Sequence, residues 1–171
     1  DWLTANTTHR YRLRALPYLP DRSEARILEV GPGTGKLHVE LARRYTATAA
    51  VDLAAGMVRQ TQRRLARHDL KATLCQGDVY ALPWPDDHVD AVVSTFVLSA
   101  VPDLPRAMDE MVRITRPGGT VVLVDAGESR EGTWFAHALA HLWEAIGDYI
   151  RDEVPVMEAR GLDVIREEFG P

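Results

Sequence analysis

Three glycines at alternate positions, Gly31, Gly33 and Gly35, lie in Glu29-Val30-Gly31-Pro32-Gly33-Thr34-Gly35, directly after a short apolar run and directly before a helical pattern. Lacking Cβ atoms, they let backbone N–H groups come close to a ligand. A phosphate-cradling P-loop needs Gly-x4-Gly-Lys-Ser/Thr, but the residue five before Gly35 is Val30, and Lys36 is followed by Leu37. A dinucleotide fingerprint needs its third glycine at i+5, where Lys36 stands, although Asp52, 21 residues beyond Gly31, sits near the spacing of a ribose-binding acid. A third reading is a nucleoside ligand without a pyrophosphate, which asks for an acid at the ribose and polar groups at its other end.

Few other residues have the types and spacing for chemistry. No nucleophile, base and orienting acid occur in a recognisable arrangement. His137 and His141 stand at i and i+4, with Glu144 near them, but the general-base pattern of a zinc protease is missing, so no metal is expected. The two histidines are the weak catalytic candidates, as acceptors of a substrate proton. Cys75 is the single cysteine of the chain, which leaves no internal disulfide and suits a reducing cytoplasm.

The elements that position these residues alternate regularly. Strands are predicted at Ile27–Val30, Ala47–Val51 ending at Asp52, Ala72–Gln76, Val89–Ser94 and Thr120–Val124, the last introduced by a Pro117-Gly118-Gly119 turn. Helices are predicted where Leu37, Leu41 and Tyr45 recur, at Ala55–Arg67 and at Leu104–Ile114, with Arg59, Arg63, Arg64 and Arg67 on an outer face. A further helix is expected at Thr133–Ile150 and a sixth strand at Asp163–Phe169. Strand and helix in such alternation imply an α/β fold, a doubly wound, mostly parallel Rossmann-like sheet with helices on both faces, whose ligands sit at the carboxyl ends of the strands.

The 171 residues suit one domain: residues 1–19 a helical cover, 27–125 the ligand-binding core, 126–158 a substrate-side insertion and 163–169 strand six. No apolar run is long enough to span a bilayer, so no stable membrane insertion is expected. The net charge of −5 argues against a nucleic-acid partner, and Arg10, Arg12 and Arg14 read as the solvated side of a covering helix. The start, Asp1-Trp2-Leu3-Thr4, has neither an initiator Met nor a signal peptide and reads as trimmed.

Four ordered blocks give a more specific likeness. Glu29–Gly35 resembles the first motif of class I S-adenosylmethionine-dependent methyltransferases. Asp52-Leu53-Ala54-Ala55-Gly56-Met57 resembles the motif after it, Gly77-Asp78-Val79-Tyr80-Ala81-Leu82-Pro83-Trp84 the adenine block, and Arg116-Pro117-Gly118-Gly119-Thr120 the turn before strand five. The Leu-Pro-Trp segment is most similar to the methyltransferase-11 subgroup, which includes ubiquinone and menaquinone biosynthesis methyltransferases.

The resemblance implies S-adenosylmethionine as cofactor, S-adenosylhomocysteine as product and a small-molecule or lipid-like acceptor methylated at O, N, S or C. It implies that Glu29 and the Gly31, Gly33, Thr34 and Gly35 loop hold the methionine end and that Asp52 accepts the ribose hydroxyls. Leu53 and Met57 would pack on the nucleoside, and Gly77, Asp78 and Val79 would receive the adenine. Ser94, Thr95, Phe96 and Leu98 would line the methyl donor. Ser94-Thr95-Phe96-Val97 stands where amino-methylases of DNA and RNA carry Asp/Asn-Pro-Pro-Tyr/Phe, and Cys75 precedes the adenine block, which argues against base methylation. The family's final antiparallel seventh strand is expected to be absent from this chain. Two other readings stay open: a nicotinamide-dependent oxidoreductase, and a non-catalytic module that binds the nucleoside. The oligomeric state is open too, a dimer included.

Overall fold

The first strand, β1 (Arg26–Val30), is buried from its second residue onward, as a strand covered on both faces must be. The computed structural model describes residues 9–125 and 151–168. After β1 come α1 (Lys36–Arg44), β2 (Ala47–Asp52), α2 (Ala55–Ala66), β3 (Thr73–Gln76), β4 (Val89–Thr95), α3 (Leu104–Ile114), β5 (Thr115–Val124) and the short α4 (Val154–Glu158). The strands form one parallel sheet in the order β3-β2-β1-β4-β5. The order reverses between β1 and β4, and sheets of this kind bind ligands beyond the carboxyl ends of the strands at such a switch point.

Alternation along the strands splits the core in two. Leu28, Val30, Val51 and Val92 face α3, whose Leu104, Ala107, Met108, Met111 and Ile114 are all buried at helical spacing. Ile27, Ala91, Val93 and Val122 face the other way, onto Leu37, Leu41 and Tyr45, with Ala15 and Leu19 of the amino-terminal segment. The central β4, Val-Asp-Ala-Val-Val-Ser-Thr, is buried at every position. Asp103 caps α3 by accepting from the Arg106 N–H at 3.1 Å, with Pro105 inside the first turn.

Three expectations change. The Pro117-Gly118-Gly119 segment lies inside β5 rather than ahead of it: Val89 pairs with Thr115 and Ala91 with Thr120, so the extra residues form an irregularity in the strand. The sixth strand is not formed over residues 163–168, which lie outside the sheet. Only Val164 and Ile165 there are apolar, Ile165 is 79% exposed, and Arg166 pairs with Asp152 and Glu168, so no face exists to bury against a neighbouring strand. Residues 154–158, not singled out as a helix in the sequence, form α4. The expected helix at 133–150, with His137 and His141, lies outside the described residues, as do residues 1–8 of the cover.

Candidate functional site at the carboxyl ends of the strands

The glycine loop is fastened to both neighbouring strands. The Gly31 N–H donates to the Val51 carbonyl at 2.8 Å. Gly31 has φ +70°, and a Cβ there would stand 2.2 Å from Val97 Cγ2, so the turn after β4 packs directly on the turn after β1. Gly35, the αL residue at the start of α1, leaves no room for a side chain against Thr61 of α2, whose hydroxyl donates to the Gly33 carbonyl at 3.1 Å. Thr34 is exposed and its carbonyl accepts from Arg64 Nε at 2.6 Å. Gly33 faces open space on the side where a Cβ would be.

Asp52 ends β2 beneath this loop. One carboxylate oxygen accepts from the Gly33 N–H at 3.1 Å and the other from the Ala54 N–H at 2.9 Å. A carboxylate offers about four acceptor positions, so half of them stay open on this partly exposed side chain. The Asp52 carbonyl accepts from the Gly77 N–H at 3.1 Å, which draws the Gly77-Asp78-Val79 turn to the same rim. Asp78 is exposed, and its Oδ1 accepts from the Tyr80 N–H at 2.9 Å in an Asx turn. Val79 packs on the core edge, Met57 is half-buried, and Leu53 is 69% exposed at the rim. An exposed leucine beside an aspartate and a glycine loop suits contact with the flat apolar part of a ligand.

Deeper in, Glu29 is fully buried, with Oε2 2.9 Å from His38 Nδ1 of α1. Among the described residues, its Oε1 and the remote His38 Nε2 have no partner. On β4, Ser94 is buried with its hydroxyl unpartnered, while Thr95 Oγ1 and its carbonyl both accept from the Arg12 guanidinium, at 2.5 and 3.0 Å. Arg12 also lies 5.1 Å over the Phe96 ring. Burial lowers the pKa of Arg12, opposed by the nearby Glu29 and Asp125 carboxylates. Leu98 differs from expectation: its side chain is 2% exposed and belongs to the core beside α3, and its carbonyl accepts from Arg151.

Two features of this rim went unnoticed in the sequence. Arg12, read as solvated, instead ties the amino-terminal segment to the end of β4. Asp125, one residue past β5, accepts from the Val97 and Ser99 N–H groups at 3.2 and 3.0 Å. It thereby braces the turn in which Phe96 takes a left-handed φ of +56°, a conformation a phenylalanine adopts only when its surroundings impose it. Glu153, ahead of α4, is pushed up to about 7, chiefly by burial and further by Asp125 and Asp152. An acid at a strand's carboxyl end was the available signal for Asp125; nothing in the local sequence marks Arg12.

A family model described as "Methyltransferase domain" matches residues 28–123. The malonyl-[acyl-carrier protein] O-methyltransferase of Halorhodospira halophila is 36% identical over 128 residues, 74% of this chain and 41% of that protein. The demethylmenaquinone methyltransferase of Thermus thermophilus is 31% identical over 118 residues, 68% of this chain and 54% of that one. The chain thus spans about half the length of these curated relatives, or less. Among solved structures, the YcgJ protein of Bacillus subtilis superposes with a TM-score of 0.78 at 20% identity, covering 88% of this chain and 67% of the other, a likeness of fold.

Proposed function

Because this chain belongs to the S-adenosylmethionine-dependent methyltransferase family, we propose that it binds S-adenosylmethionine at the carboxyl ends of β1, β2 and β4 and transfers its methyl group to a small-molecule or lipid-like acceptor. The observation that carries this reading is the polar atom left unsatisfied beside the glycine loop. Among the described residues, Glu29 Oε1 is buried without a partner. A buried polar group without a partner costs about 1–3 kcal/mol, and a ligand that carries an ammonium can remove that cost.

The chain's own residues divide the work. Asp52 keeps acceptor positions open for a ribose diol while its two existing bonds hold it in place. Asp78 Oδ2 and the Val79 N–H offer an acceptor and a donor at the rim, the pair that an adenine edge takes up. The Gly31–Gly35 loop keeps side chains away from the ligand's path, and Met57 and Leu53 shield its apolar face. When bound, S-adenosylmethionine supplies a methyl group already activated by its sulfonium, so orientation and exclusion of water are the main tasks left to the protein. The turn from Thr95 to Ser99, braced by Asp125 and Arg12, is the rigid wall that serves them.

This reading does not need a dedicated protein base, and His137 and His141 stay as candidates for accepting an acceptor's proton. The test is formation of S-adenosylhomocysteine from S-adenosylmethionine with a panel of thiols, phenols, carboxylic acids and amines. Turnover with at least one class, reduced about a hundredfold or more by Asp52→Ala, is expected. Turnover that Asp52→Ala leaves unchanged contradicts the assignment of the site.

A further inference from the structure

The other end of the sheet also holds a site. Three of the strand connections contain helices, but residues 77–88, between β3 and β4, form a loop. On the face covered by α3, this loop reaches the core through Leu82 and Trp84, and the amino-terminal ends of β1, β2 and β3 are left open beside it. The result is a cavity of about 450 Å³, a volume in the range of small-molecule sites. It lies one strand length, roughly 15 Å, from the glycine loop.

The lining has a definite chemistry. Arg26, Lys71 and His88 supply three basic side chains, Thr46, Thr48 and Thr73 supply hydroxyls, that of Thr46 donating to the Ser23 carbonyl at 3.2 Å, and Trp84 forms the apolar wall; among the described residues no carboxylate lines the cavity. Among the described residues, neither the Lys71 ammonium nor the His88 ring has a partner. Arg26 shares Asp90 with Arg22 and Arg116, neither of which lines the cavity, so three guanidiniums meet a single carboxylate and leave an excess of positive charge beside it. Asp86 and Asp87 precede His88, but neither lines the cavity, and Asp86 is paired with Arg113 at 2.8 Å.

The wall is preformed. Arg113 of α3 donates to the Trp84 carbonyl at 2.9 Å and the Leu82 carbonyl at 3.1 Å, while Glu110 accepts from the Leu82 N–H at 2.7 Å and holds Arg113 at 2.6 and 2.8 Å. The loop that carries Trp84 is therefore fixed to a rigid helix before any ligand arrives. Basic side chains beside an aromatic wall held in place favour a flat ring bearing a negative charge. We infer that this cavity is a binding site for a planar organic anion, distinct from the site at the carboxyl ends of the strands.

The test is calorimetric titration of the whole chain with 2-naphthoate, with 2-naphthylmethanol as the uncharged analogue and inorganic phosphate as the ring-free anion. Saturable binding of 2-naphthoate at millimolar concentration or below is expected. The alcohol should bind about tenfold more weakly, and Lys71→Glu combined with His88→Gln should weaken 2-naphthoate by at least that factor, with thermal unfolding confirming that the variant is folded. Phosphate should not displace 2-naphthoate at equal concentration. No binding, equal binding by the folded double variant, equal binding of the alcohol, or displacement by phosphate each overturns the inference.

Discussion

At the scale of single residues, the least expected contact is the one between Glu29 and His38. Both are fully buried and 2.9 Å apart, and each keeps a second polar atom without a partner among the described residues. Such a pair is expensive to bury, and removing one member leaves the other uncompensated. We predict that His38→Leu costs about 3 kcal/mol in denaturant unfolding. His38→Asn, whose amide nitrogen can take the place of Nδ1, should recover most of that and keep S-adenosylhomocysteine affinity within a few-fold of the parent. Equal losses in both variants contradict a role for the hydrogen bond. The role of Glu29 was suggested by its place in the first motif, but His38 was invisible. In the sequence it is one polar residue beside the stripe of Leu37, Leu41 and Tyr45, and only the folded helix reveals that its buried arc is wide enough to take in Leu37, His38, Val39 and Leu41.

At the scale of elements, Asp90 on β4 is the clamp that joins this strand to both of its neighbours, β1 and β5. Its carboxylate accepts from the Arg26 N–H of β1 at 2.7 Å, from Arg116 of β5 and from Arg22 ahead of β1. Burial alone raises its pKa, but these donors overcome that and hold it at about 2, below the ordinary 3.8. A depressed carboxylate contributes stability that is present above its unfolded pKa and lost as pH falls through the folded one. Asp90→Asn should therefore cost about 1–2 kcal/mol near neutral pH, the arginines being partly exposed, and should flatten the loss of stability between about pH 4 and pH 2. Unchanged acid sensitivity in the variant contradicts this. The strands and crossover helices were legible because their apolar periods are local. The clamp was not, because Asp90 meets partners 64 and 68 residues before it and 26 after it. The sixth strand failed for the opposite reason: Val164 and Ile165 looked strand-like locally, yet the acidic residues around them leave no face to bury.

At the scale of the whole molecule, the sheet order β3-β2-β1-β4-β5 decides where chemistry can occur. The reversal between β1 and β4 brings Glu29, the glycine loop, Ser94 and Thr95 to one end of the sheet, with Asp52 and Gly77 beside them. Those residues lie in four separate blocks of sequence, and their order along the chain was enough to anticipate their meeting. What could not be anticipated was the bracing by Arg12 and Asp125, from segments at either end of the core, and the open face beneath Trp84. Among the described residues no helix is long and apolar enough to cross a membrane. Under the proposed function, the carboxyl ends of the strands take a nucleoside carrying an amino acid, not a dinucleotide. Calorimetric titration of the chain with S-adenosylhomocysteine and, in parallel, with NAD tests it most directly. Saturable binding of S-adenosylhomocysteine that Asp52→Ala weakens at least tenfold, with no heat from NAD, is expected; binding of NAD instead, or binding of neither at millimolar concentration, overturns the proposed function.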